Sequence, residues 1–298
     1  MARPSVMTRT PRAPSAAMKP LLTLLLISLG SVSHAADHIV EVSSGREISR
    51  TELLAQARQS DFLLLGEIHD NPHHHRRRAE LIAGLAPKAI VAEQLDEDRR
   101  TDWARAPGET LEKRLSAAGF DAAGWQWPLH EPLFAGLAEA QIDVVGANIN
   151  RNLARRIVRE GSLALPAPVA AALAANSLSP GAEATLDADL LDNHCGQLPA
   201  SRVPGMRLAQ RARDAAMALG LVALPDRPAI LVAGNGHVRA DYGVPALLTT
   251  LRPDARIINI AFEEEGKAAG TGTAYTHIWR TPAVHRDDPC KGFGNPRP

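Results

Sequence analysis

Short apolar runs, each closed by a small or polar residue, recur along the chain and set its predicted secondary structure. They are Phe62-Leu63-Leu64-Leu65, Ala89-Ile90-Val91-Ala92, Ile142-Asp143-Val144-Val145, Ala229-Ile230-Leu231-Val232-Ala233 and Arg256-Ile257-Ile258-Asn259-Ile260. Such runs suit strands buried on both faces. Helical patterns lie between them. One follows Pro72 and gathers Leu81, Ile82 and Leu85 on one side; a second starts near Pro132 with Leu133, Phe134 and Leu137; a third runs from Met206 to Leu221. Strands alternating with helices predict an α/β fold, a mostly parallel sheet flanked by helices.

The alternation stops between residues 154 and 224. That stretch is Ala/Leu-rich, broken by Pro166, Pro168, Pro180 and Pro199, and carries no strand pattern. It predicts a small all-helical insertion lobe. The α/β domain then has a first part, 37–153, and a second part, 225–286, with a late strand from Tyr275 to Trp279 and an irregular tail over 287–298. No internal repeat is visible.

The N-terminus predicts a targeting segment. Lys19 precedes the apolar run Leu21 to Leu29, and Gly30-Ser31-Val32-Ser33-His34-Ala35-Ala36 follows. A basic start, a short apolar stretch and a small-residue exit predict a cleavable signal peptide over 1–36, cut after Ala35 or Ala36. The Arg/Pro-rich residues before Met18 read as an upstream extension. The run is too short to span a bilayer. The expected location is the periplasm or the outside of the cell. No cysteine follows the apolar run, so a lipid anchor is not supported. In an oxidising compartment the two cysteines, Cys195 and Cys290, are expected to pair and tie the tail to the body.

Composition narrows the function. Of 298 residues 45% are hydrophobic and 22% charged, with 33 basic and 33 acidic side chains. A balanced charge argues against a nucleic-acid partner, whose phosphates need clustered cations.

Four strand ends carry polar groups. The first is Gly66-Glu67-Ile68-His69-Asp70-Asn71-Pro72. Glu67 and His69 fall on one side if the strand continues, and Asn71 and Pro72 are the cap and first residue of a helix. His73, His74 and His75 read either as solvated loop residues or as a metal-binding surface tract. The second is Gly234-Asn235-Gly236-His237, with Tyr242 on the turn beyond it, a phenol that could ligate iron. The third is Ala92-Glu93-Gln94, whose carboxylate is expected to face the same crevice as Glu67. The fourth is Asn148-Ile149-Asn150-Arg151, where Arg151 could grip a carboxylate by two parallel hydrogen bonds or serve as a helix-surface charge. Open α/β sheets bind ligands at the carboxyl ends of their strands. Two carboxylates with two histidines suit a divalent metal or an acid–base pair. A Gly-x-Ser-x-Gly elbow, a His-Glu-x-x-His motif and a Walker loop are all missing.

Taken in this order, the residues resemble the ChaN-like family of haem-binding uptake proteins in the Tiki-like group. The resemblance runs from about Phe62 to Pro245 and rests on Leu65 to Pro72 with His74-His75, Ala92-Glu93-Gln94, Gly124-Trp125 with Trp127, Gly234 to His237 and Gly243-Val244-Pro245. Met206, Ala209-Gln210 and Arg213-Asp214 are also similar to the family. The resemblance implies haem capture or iron uptake, a haem pocket completed by a homodimer, and possible envelope haem-uptake partners. It implies iron held by a tyrosine of one subunit, with a histidine of the other near the propionates. Tyr242 fits the first role, with Tyr275 as the other candidate; His69, His75 and His237 stay open for the second. Many relatives are lipoproteins, and this chain lacks their lipid-accepting cysteine. The wider group also includes metal-dependent peptidases. In that alternative Glu67, His69, Glu93 and His237 hold a divalent metal or activate water, and Arg151 steadies negative charge. A carrier for some other ligand is the third possibility.

Overall fold

The computed structural model describes residues 1–2, 37–103, 108–266, 272–288 and 290–291. The expected signal segment lies outside the described residues except for its first two. Contacts divide the chain into Met1–His34 and the body, Ala35–Pro298, described below.

The body opens with strands β1 (His38–Glu41) and β2 (Arg46–Ile48) and helix α1 (Arg50–Ala57). Ser49 starts α1 with a reciprocal cap: its hydroxyl accepts from the Glu52 amide, and the Glu52 carboxylate accepts from the Ser49 amide. Next come β3 (Phe62–Leu65), α2 (Pro72–Leu85), β4 (Ala89–Asp96), α3 (Leu111–Ala117), α4 (Glu131–Glu139) and β5 (Asp143–Asn148). Asn71 caps α2 by accepting from the His73 amide, and Pro72 occupies its first turn, as the sequence predicts.

The predicted helical segment contains α5 (Arg151–Glu160), α6 (Ala167–Ala175), α7 (Pro180–Asn193) and α8 (Val203–Ala223). Strand β6 (Ala229–Val232), α9 (Val244–Leu251), β7 (Ile257–Glu264) and β8 (His277–Thr281) complete the fold. Helix α8 also covers the sheet, packing on β4, β5 and β6.

The eight strands form one sheet in the order β2-β1-β8-β7-β3-β6-β4-β5. The pairs from β8 to β5 are parallel; β1 runs antiparallel to β8 and β2 antiparallel to β1. Strand β3 shows why its run is apolar throughout. Phe62 and Leu64 join the core under α5, α6, α8 and α9, whereas Leu63 and Leu65 join the core under α1, α2 and α4. Period-two alternation serves two apolar layers, so no polar position is left.

The predicted strands all form, with shifted ends. Strand β4 continues past Ala92 through Glu93 and Gln94 because their side chains find buried partners. The late strand begins at His277 instead of Tyr275. The β1–β2 hairpin was not predicted: its two strands bury Ile39 and Ile48 respectively, which leaves no period to detect. The expected disulfide is present, joining Cys195 to Cys290 across a Cα separation of 5.5 Å.

Candidate functional site

Strands β3 and β6 are parallel neighbours with Leu65 opposite Val232, so the two Gly-x-x-His motifs leave the sheet side by side. Gly66 makes that approach possible. A methyl group there would collide with Asn235 Oδ1 and lie 2.9 Å from the Ile260 carbonyl. The Asn235 side chain in turn donates to the Phe262 carbonyl at 2.7 Å and accepts from its amide at 3.1 Å, tying the second motif to β7.

The first motif builds a caged anion. The Glu67 side chain is completely buried, and its Oε2 is ion-paired to the equally buried Arg78 of α2. Gln94 donates to Oε1 at 3.1 Å, and His69 Nδ1 lies 2.7 Å from the same oxygen. His75 completes the wall. Its Nε2 donates to the His69 carbonyl at 2.8 Å, which leaves Nδ1 to accept from Arg78 at 2.7 Å. Burial holds His75 neutral, with a pKa lowered to about 4. His130, at the start of α4, places Nε2 3.5 Å from Glu67 Oε1; burial, then the charges around it, lower its pKa to about 2. Desolvation also lowers the Arg78 pKa, to about 9.

The second motif builds the opposite arrangement. His237 is buried between Asp214 of α8, 2.6 Å from Nδ1, and Glu93, 3.3 Å from Nε2. Both ring nitrogens therefore donate, and the ring is an imidazolium. Burial opposes that charge, but the two carboxylates outweigh it and raise the pKa to about 10. Glu93 loses solvation too, yet His237 and the Gly234 amide, which donates to it at 2.7 Å, hold it far below the usual carboxylate range.

His69 stands between the two cages. Its side chain is 48% exposed, its Nδ1 is tied to Glu67, and its ring meets Trp125 edge-on at 5.2 Å. Nε2 lies so near Gly234 that a methyl group there would sit 3.1 Å from it. Trp125 and Glu93 line a crevice of about 250 Å³, with Arg213 and Arg151 on its wall. Arg213 is anchored by donating to Asn148 Oδ1 at 2.8 Å. Arg151 is 64% exposed and 3.3 Å from Asp121. Thus Glu67, His69 and His75 gather in one cluster and Glu93 and His237 in an adjoining one, and of these Glu93 lines the crevice.

Several details differ from the sequence reading. His74 and His75 are buried in α2, not solvated, because one face of the helix packs on the sheet. Glu93 lines the crevice, whereas Glu67 sits behind His69. Glu93 and Gln94 both line the crevice where the pairing of β4 with β5 turns irregular, and it is Gln94, not Glu93, that donates to Glu67. Tyr242 lies away from the crevice lining. It is 2% exposed, packed against α7, and its hydroxyl donates to Asp189 at 2.6 Å. Burial and then that acidic neighbour push its pKa far above the usual phenol value. Tyr275 donates to the Asn235 carbonyl at 3.2 Å, and burial raises its pKa to about 12.

Arg78, His130 and Asp214 were not read as site residues. Arg78 carried a signal: it falls three residues after His75, on the same helical face as the apolar Ile82. His130 follows the Trp125-Gln126-Trp127-Pro128 cluster, and Asp214 lies in a helix whose other buried residues are mostly apolar. Glu67, His69 and His130 also present ligand atoms all within 4.8 Å of one another, a set able to hold a metal ion.

The chain matches the profile of a family described as haem-binding uptake, Tiki superfamily, ChaN, over residues 53–248. Among solved structures, ChaN of Campylobacter jejuni, described as binding haem cofacially, superimposes with a TM-score of 0.68 at 18% identity, covering 82% of this chain and 96% of that one. The type III effector HopBA1 reaches 0.44 at 14% identity over 79% and 94% of the two chains. A mutant of the erythromycin esterase EreC reaches 0.39 at 15% identity over 87% and 86%. No curated protein matches the chain at a significant level.

Proposed function

The chain belongs to the ChaN-type haem-binding uptake family of the Tiki superfamily, and on that premise we propose that it is an exported protein that captures haem for iron uptake. The observation that carries this reading is His69. It is a half-exposed imidazole whose Nδ1 is fixed by a carboxylate, so the ring is held in place for a haem propionate. Trp125 beside it offers a flat apolar edge, and Arg151 and Arg213 offer cations to haem propionates.

The crevice, at about 250 Å³, is smaller than the roughly 300–1,000 Å³ of sites that enclose a drug-sized ligand. The crevice by itself would not enclose a haem. A second copy of the chain is the proposed cover, with Tyr242, which α7 buries in this structure, as the iron ligand once uncovered and His69 near the propionates of the partner's haem. Export accords with the Cys195–Cys290 disulfide, which persists in oxidising compartments. Titration with haemin should give a Soret band that weakens in Tyr242→Phe and in His69→Ala. A flat titration of the wild-type protein would sink the proposal.

One observation favours a second reading, a divalent-metal-dependent hydrolase. His130 Nε2 is buried without a hydrogen-bond partner, beside Glu67 Oε1 and close to His69. A neutral imidazole of that kind can give its lone pair to a metal. Against this, Arg78 already pairs with Glu67 and would repel a divalent cation on the same carboxylate. Elemental analysis of protein purified without a histidine tag, with assays of Glu67→Gln, distinguishes the two. Absence of both bound metal and turnover eliminates the hydrolase.

A further inference from the structure

Helix α7 covers Tyr242 from one side; the Arg239 guanidinium lies over its ring, 4.9 Å from the centroid, and Met206 of α8 packs on the same cluster. Leu186 and Leu190 of α7 pack on the phenol, and Asp189 accepts its hydroxyl proton. The cluster is separate from the two main cores. Beside it, a cavity of about 370 Å³ opens between the start of α7 and α8, reached by Leu178 and Leu208. The two ion pairs between α7 and α8 run from Arg207 to Glu183 and Asp187, at 2.6 and 2.8 Å, and their acidic partners are 48% and 30% exposed. Exposed pairs of this kind hold little. Helix α7 is therefore held to the body by one small apolar cluster, these exposed pairs and the contacts of Asp189 with Tyr242 and, at 4.0 Å, with Arg239.

What fastens it is covalent. Cys195, two residues past the end of α7, is bonded to Cys290 in the C-terminal tail, and Gly196 follows with a φ of +67°. The tail is itself secured. Arg286 pairs with Asp70 through two hydrogen bonds, at 2.7 and 2.9 Å, and with the buried Glu264 at 2.6 and 2.8 Å. Asp70 is the residue after His69. One strap thus joins the loop that presents His69 to the helix that hides Tyr242.

We infer that α7 is a hinged lid over Tyr242, latched by the Cys195–Cys290 disulfide, and that reducing this bond exposes the tyrosine. The purpose assigned to the motion rests on Tyr242 being the iron ligand; the motion itself does not. A dithiol reductant supplies two electrons and two protons, the S–S bond breaks to two thiols, and the reductant becomes a disulfide. The helix then pivots about the segments on either side, with Gly196 supplying one hinge and the cavity giving it room. The His69 loop stays in place, because Arg286 still holds Asp70 and Glu264.

Hydrogen exchange of the purified full-length protein tests the motion without haem. Oxidised protein is compared with protein reduced by a phosphine and with the Cys195→Ser/Cys290→Ser double variant. Amides of α7 should exchange at least about tenfold faster when unlatched, while those of β3 and β6 do not change. Unchanged exchange in α7 overturns the lid, and so does an equal rise throughout the sheet, which would make the disulfide a general staple. Stopped-flow mixing with haemin tests the purpose. Unlatching should speed association about tenfold in the wild type and leave Tyr242→Phe unaffected, as expected for a binding-competent state whose population has risen. If α7 loosens but haemin binds neither form, the lid stands and the haem reading falls. If haemin binds both forms at one rate, the haem reading stands and the gating role falls.

Discussion

The two Gly-x-x-His motifs leave neighbouring strands with the same spacing, yet they build cages of opposite sign. Around the first, a buried carboxylate is enclosed by donors: Arg78, Gln94 and His69, with neutral His75 and His130 beyond. Around the second, a buried imidazolium is enclosed by two carboxylates. The helix packed against each motif makes the difference. Helix α2 brings a guanidinium to Glu67, and α8 brings a carboxylate to His237. A motif of four residues sets where a histidine sits; its ionisation is set by side chains far away in sequence. The outcome leaves His69 accessible with one free ring nitrogen and His237 closed in with none, so the two histidines are not equivalent candidates for a ligand.

The largest test of this contrast removes one charge from each cage. Arg78→Met strands Glu67 without its cation, and stranding a buried charge costs about 3–5 kcal/mol. Asp214→Asn leaves His237 paired with Glu93, so the loss should be nearer 1–3 kcal/mol. Urea denaturation of both variants checks the ranking, and a greater loss in Asp214→Asn would break the comparison. The cages should also respond oppositely to pH. His237 has a raised folded pKa of about 10, so its contribution is complete below its unfolded value of about 6.5 and is lost as pH rises through 10. His75 is held neutral with a lowered pKa of about 4. Its contribution is complete above about 6.5 and is lost as pH falls from there toward 4. The urea midpoint should therefore decline on both sides of neutrality, and His237→Gln should remove only the alkaline decline. A midpoint flat from pH 7 to 10 in the wild type would refute the assignment of charge to His237.

These charges explain how much the sequence disclosed. The runs at Phe62 and Ala229 were legible as buried strands because two apolar layers leave no polar position. The convergence of Glu67, His69, Glu93 and His237 was legible because strand ends in an open parallel sheet share one edge. Arg78 and Asp214 had partners that were not legible. Each is a charged residue on the buried face of a helix, where local pattern predicts an apolar side chain, and only the tertiary partner accounts for it. The cover over Tyr242 was hidden for another reason. The contact between Tyr242 and Asp189 spans 53 residues, and helical periodicity in 154–224 says nothing about which helix lies over which loop.

The smaller tests concern the first glycine of each motif. A methyl group at Gly66 meets the Asn235 side chain and the Ile260 backbone carbonyl, neither of which can retreat easily, since Asn235 is held at both ends by Phe262. Gly66→Ala should cost about 1–3 kcal/mol, as overpacking does. Gly234→Ala meets a different neighbour. Its methyl would lie 3.1 Å from His69 Nε2, and that half-exposed ring can move aside by a few tenths of an ångström. Stability should change by no more than about 0.5 kcal/mol. The consequence should appear instead in ligand binding, as a weaker haemin Soret response with an unchanged urea midpoint. The same substitution in two like motifs would then separate a glycine required for packing from one that leaves room for a ligand-facing histidine. If Gly234→Ala unfolds the protein as readily as Gly66→Ala, His69 is part of the packed interior and loses its standing as the exposed imidazole of the site.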